Sequence, residues 1–150
     1  MSYTLQVIVG ASDMVEICRS EGLAYVALTD RLALVPLNLA LRERFDIPNL
    51  PLTDEDEEPV LPESLGALGR KLSKDGTVAY LEAQFFGGAG SQAHVLFRQG
   101  TMIGEPVVAG DAINQALRQF GVQSSSGADE FDGVGLGRHR HTDRWLTDRK

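Results

Sequence analysis

Cysteine is nearly absent from this chain: Cys18 stands alone among 150 residues. An intramolecular disulfide and every Cys-x-x-Cys metal or redox motif are thereby excluded. No apolar run approaches the ~20 residues needed to cross a bilayer, so no membrane partner is expected. The opening Met1-Ser2-Tyr3-Thr4-Leu5 lacks the basic region and long apolar stretch of a secretory leader. These absences together point to a reducing, cytoplasmic setting. Positive charge is also scarce. Fourteen Lys and Arg face 21 Asp and Glu, and the net charge of −7 argues against non-specific nucleic-acid binding, which depends on neutralising phosphates. There is no Gly-x-Ser-x-Gly elbow, no His-Glu-x-x-His helix, no phosphate-loop signature and no internal repeat. No cofactor is expected.

What is present is the composition of one folding unit. Apolar residues make up 43% and charged residues 23%, outside the regime of disorder. A chain of this length hides roughly 70% of its extended surface in one core. Tyr3 to Val9 reads as a strand closed by Gly10, followed by a short helix capped by Ser12 and stopped at Gly22. Tyr25 to Leu28 and Leu32 to Val35 read as a hairpin, and Leu37, Leu41 and Phe45 as the stripe of a helix ending before Pro48. Four prolines and the run Asp54-Glu55-Asp56-Glu57-Glu58 mark an exposed loop. Helical spacing resumes over 63–72, although Gly66 and Gly69 weaken it. Thr77 to Phe86 and Gln92 to Arg98 alternate as paired strands across Gly87-Gly88-Ala89-Gly90-Ser91, and Met102 to Val108 adds a strand that Pro106 confines to an edge or a bulge. Asp111 caps a helix carrying Ile113, Ala116, Leu117 and Phe120 to its stop at Gly121. Adjacent hairpins outweigh strict strand–helix alternation. The expected fold is therefore α+β, a single domain with a mostly antiparallel sheet and three to four helices packed on it. Residues 1–123 form its body, and 124–150 a C-terminal segment docked on it by Trp145 and Leu146.

Four groupings could carry chemistry. If Phe86 opposes Gln92, then Gln84 opposes His94, Glu82 opposes Leu96 and Tyr80 opposes Arg98, on one polar face. That face would hold a catalytic set: His94 as the titrating group, Glu82 orienting it, and Arg98 as the anion contact. Alternation alone also predicts such a face on any half-solvated sheet. The glycine run offers Gly88 and Gly90 as a backbone nest for an anion, or simply a permissive turn. In the tail, Arg138, His139, Arg140 and His141 form a basic strip suited to carboxylates or an anionic ligand. His139, His141 and Asp143 would project together at period two, but the flanking arginines oppose a divalent metal, and none is expected. The carboxylates of Asp129, Glu130 and Asp132 are expected to pair locally with Arg138 or Arg140, and Cys18 to be a buried, inert thiol.

Two stretches, Tyr80-Leu81-Glu82-Ala83-Gln84-Phe85-Phe86-Gly87-Gly88-Ala89-Gly90-Ser91-Gln92 and Asp129-Glu130-Phe131-Asp132 with Gly135-Leu136-Gly137-Arg138-His139-Arg140, cover about a quarter of the chain. They resemble a group of small uncharacterised bacterial proteins. The resemblance implies a bacterial origin and no particular chemistry.

Two functions are compatible with these features. One is an acidic protein-binding module of the immunity or inhibitor kind. Residues 138–150 carry a local charge of +3 and the rest of the chain −10, so a basic protein partner would be drawn to it quickly. The other is a small enzyme or ligand-binding protein acting on an anionic substrate through the polar hairpin face. A homodimer fits either.

Overall fold

The computed structural model describes residues 2–53, 60–86, 89–123, 129–142 and 144–147. The expected acidic loop at 54–58, Gly87 and Gly88, the link at 124–127 and Asp143 lie outside the described residues. Strand β1 (Ser2–Gly10) leads into helix α1 (Ser12–Glu21), then β2 (Val26–Ala27), β3 (Ala33–Pro36), α2 (Leu39–Phe45) and α3 (Glu63–Leu72). Strands β4 (Thr77–Phe86), β5 (Ala89–Arg98) and β6 (Thr101–Val108) follow. The chain then adds α4 (Ala112–Arg118), the single turn α5 (Glu130–Gly133), a 3-10 turn at Leu136–Arg138, and α6 (Arg144–Thr147).

All six strands belong to one antiparallel sheet in the order β2-β3-β1-β4-β5-β6. The α+β expectation holds. β1 and β4 pair along their whole length, from Ser2 opposite Phe86 to Gly10 opposite Val78. Both faces of this central pair are covered. Ile8, Val78, Tyr80, Val95 and Phe97 pack with Met14 and Cys18 of α1 and Leu65, Leu68 and Leu72 of α3. On the other face Leu5, Val7, Val9, Ala79 and Leu81 meet Ile113, Ala116 and Leu117 of α4, together with Leu136 and Trp145. The result is a three-layer domain, and it explains why Leu5 to Gly10 are apolar on both faces of the strand except at Gln6.

Helix ends follow sequence in part. Gly22 stops α1 at φ 69°, but the residue at the N-cap is Ala11, and Ser12 is already the first helical residue. Asp111 does occupy the N-cap of α4, yet its carboxylate accepts from Gln115 Nε2 at 2.7 Å instead of a backbone N–H. Asn38 makes the side-chain cap that α2 needs, accepting from Leu41 N at 3.0 Å. β6 is an edge strand, bulged in its pairing to β5, with Gly104 at φ 71°.

The C-terminal segment completes the sheet. β3 pairs with β1 only over Val7 to Gly10, so the N-terminal half of β1 would present bare donors on that side. Thr4 N donates to the Arg140 carbonyl at 2.7 Å and Gln6 N to Thr142 Oγ1 at 3.0 Å, while Tyr3 Oη donates to the Leu136 carbonyl at 2.8 Å. Trp145, 2% exposed, anchors the segment in the second core.

Candidate functional site

The hairpin register decides the fate of the expected catalytic face. Phe86 opposes Ala89 instead of Gln92, leaving two residues, 87 and 88, as the connection. A displacement of three residues is odd, and an odd displacement moves every side chain of the partner strand to the other face. Glu82 therefore opposes Ala93, His94 opposes Leu81, and Arg98 opposes Thr77. Glu82 and His94 point into different layers and do not form an acid–base pair. Gly90 shows why the glycine run became strand. A β-carbon there would lie 2.2 Å from the Gln84 carbonyl oxygen, so glycine is what lets β5 close against β4. Gly90 is a packing glycine of β5, and Gly88, its partner in the expected anion nest, lies outside the described residues.

Each member of that set has a separate environment. His94 is 6% exposed beside α4, and burial holds its imidazole below the ordinary range against the opposing influence of Gln115 and Asp111. Arg98 is exposed at the strand end, its Nε within 3.4 Å of Thr77 Oγ1. Glu82 is fully buried. Its Oε2 accepts from Leu52 N at 2.9 Å, Thr53 N at 2.6 Å and Thr53 Oγ1 at 2.6 Å, and its Oε1 from Tyr80 Oη at 2.5 Å. Desolvation raises its carboxyl pKa, opposed by those four donors. Burial, then the neighbouring Glu82, push the Tyr80 phenol up as well. Glu82 is thus a clamp that fastens the 47–53 loop to the sheet.

Gln6, directly across from Glu82, extends the clamp. Its Nε2 donates to the Pro48 carbonyl at 3.0 Å and its Oε1 accepts from Leu50 N at 3.2 Å. Leu50 is held at φ 45°, a left-handed conformation unfavourable for leucine. Between this loop, α2 and the C-terminal segment lies a cleft of about 280 Å³, lined by Thr4, Gln6, Arg42, Asn49, His141 and Thr142 among others. Arg42 Nε donates to the Leu37 carbonyl at 3.1 Å, and its charge acts on Tyr80 behind the cleft. His141 Nδ1 lies 3.2 Å from Thr4 Oγ1.

The rest of the basic strip divides. Arg138 is a strut: its Nη2 donates to the Leu28 carbonyl at 2.8 Å, its Nε to Gly135 O at 3.1 Å, and its guanidinium lies 5.3 Å over the Trp145 ring. His139 meets Trp145 edge-on at 4.6 Å. Arg140 is exposed and contributes its carbonyl to Thr4. The chain bends through 140–142, so His139 and His141 part, one to the second core and the other to the cleft. Their expected projection from one side fails. Glu130, expected to pair with Arg138 or Arg140, pairs instead with Arg118 of α4 at 3.0 Å, Asp129 accepts from Asn114 Nδ2 at 3.1 Å, and the Asp132 side chain lies outside the described residues.

Of the expected site residues among those described, His141 alone lines the cleft. Arg42 and Thr4 carried no signal that separates them from ordinary surface residues. Gln6 did, as the one strongly polar residue within an apolar run. Comparisons with protein-family models, curated proteins and solved structures give no match to this chain.

Proposed function

We propose that this protein is a binding module of the immunity or inhibitor type, which engages a basic protein partner through β6 and its flanks. The observation that carries this reading is the state of that strand. β6 ends the sheet, and Ile103 and Val108 are 42% and 44% exposed on it, pointing to opposite sides. Exposed Glu105 lies between them and exposed Asp111 just beyond. Apolar anchors with a charged rim are the anatomy of a protein interface. The bulge and Pro106 interrupt strand addition along this edge, which favours contact through side chains over extension of the sheet. A net charge of −7 adds attraction for a basic surface and speeds encounter.

The test is calorimetric titration against the polypeptide encoded directly upstream, the usual genetic position for the target of an immunity protein. Binding should weaken at least about tenfold in the Ile103→Asp, Val108→Asp double variant and be unchanged in Leu39→Asp, a still more exposed apolar site on α2. Equal binding by both variants, or none by the natural protein, would sink the proposal.

A further inference from the structure

We propose that the cleft between the 47–53 loop, α2 and the C-terminal segment is a binding site for a small organic oxyanion, a carboxylate or phosphate ester carrying a short apolar group. Arg42 supplies the charge. Its Nε is fixed on the Leu37 carbonyl, and the guanidinium enters no salt bridge among the described residues. Its two terminal nitrogens remain as the bidentate fork that suits a carboxylate or phosphate. Glu82, on the sheet beside Tyr80, already accepts from Leu52, Thr53 and Tyr80.

The remaining groups fit an anion with a body. Thr142 Oγ1 accepts from Gln6 N and keeps its own hydroxyl proton to donate, and His141, with Nδ1 at Thr4, keeps Nε2. Asn49 adds an exposed amide at the rim, while Leu37 and Leu50 supply apolar wall. A volume of about 280 Å³ falls just below the usual range of ligand pockets, roughly 300–1,000 Å³, and suits a ligand of few atoms. The strained Leu50 is held by Gln6, and its loop by Glu82. Three separate parts of the chain converge here, and the buried polar clamp keeps the loop in place without a ligand.

The full chain, labelled with ¹⁵N, is titrated with sodium propionate, methyl phosphate and sodium chloride at matched ionic strength. Saturable amide shifts at Leu37, Arg42, Asn49, Leu50, His141 and Thr142 are expected with propionate or methyl phosphate and not with chloride. The tighter of the two identifies the headgroup. Arg42→Gln should weaken binding about tenfold and Arg42→Lys by less, because lysine keeps charge without the fork. His141→Ala, at an exposed position, should weaken it at least about threefold and covers the case in which Arg42→Gln does not fold. Shifts that are linear and equal for all three salts, or affinity indifferent to both Arg42 and His141, would overturn the site. So would binding that emerges only when Asp54, Glu55, Asp56, Glu57 and Glu58 are replaced by amides, which would assign the cleft to the chain's own acidic residues.

Discussion

The ring of Phe97 lies where a β-carbon on Gly69 would have to go, with the nearest ring carbon 2.4 Å from that position. Helix α3 thus meets the sheet at a residue without a side chain, and Phe97 is fully buried beneath it. Gly69→Ala should lose about 1–3 kcal/mol through overpacking, which outweighs the ~1 kcal/mol that alanine gains in helix propensity. Gly66 is the control. Its nearest neighbours are Arg70 Nη1 at 3.4 Å and Leu61 Cδ2 at 3.5 Å, so Gly66→Ala should be neutral or stabilise by up to ~1 kcal/mol. Urea midpoints decide the matter, and equal shifts for the two alanines would refute this packing.

Cys18 should be chemically silent in the native protein. It is fully buried on α1, and burial pushes its thiol up to about 11. At pH 8 its reaction with a disulfide reagent should run roughly a hundredfold or more slower than in the unfolded chain, since little thiolate forms and access is closed. Rates followed across a urea titration should rise only with the unfolding transition. Fast labelling in buffer would contradict the burial.

Local signals made much of this fold legible. Alternation in Thr77 to Phe86 gave β4 to the residue, and the Leu65, Leu68, Leu72 spacing gave α3 despite its two glycines. Gly69 weakened that helix on propensity and is there for a tertiary reason, the Phe97 contact. The site was less legible because it depends on register. Whether Gly90 belongs to a loop or a strand fixes which face His94 takes, and the answer lies in its approach to the Gln84 carbonyl. The second layer of helices was equally hidden. Without it the face bearing Tyr80 and Glu82 reads as solvated, whereas both residues are fully buried. The cleft joins Thr4, Arg42 and His141, which are distant in sequence, and no local pattern unites them.

Glu82 offers the sharpest test of how the clamp works. In Glu82→Gln the amide NH₂ must face donors, Thr53 N and Oγ1 or Tyr80 Oη, where the carboxylate accepted from them. The variant should therefore be about 1–3 kcal/mol less stable at neutral pH. The pH dependence carries a definite sign. Because desolvation raises the folded-state pKa above the unfolded value of about 4.5, the native state holds this proton more tightly than the unfolded chain does. That contribution is fully present below the unfolded pKa and is lost as pH rises through the folded one. Glutamine does not titrate, so the stability gap between the natural protein and the variant should widen as pH falls from neutrality towards 4.5. Urea unfolding of both proteins across this range measures the gap, and other carboxylates cancel in the difference. A gap that narrows on acidification would mean that the donors from Leu52, Thr53 and Tyr80 outweigh burial, and that the native state prefers the charged clamp.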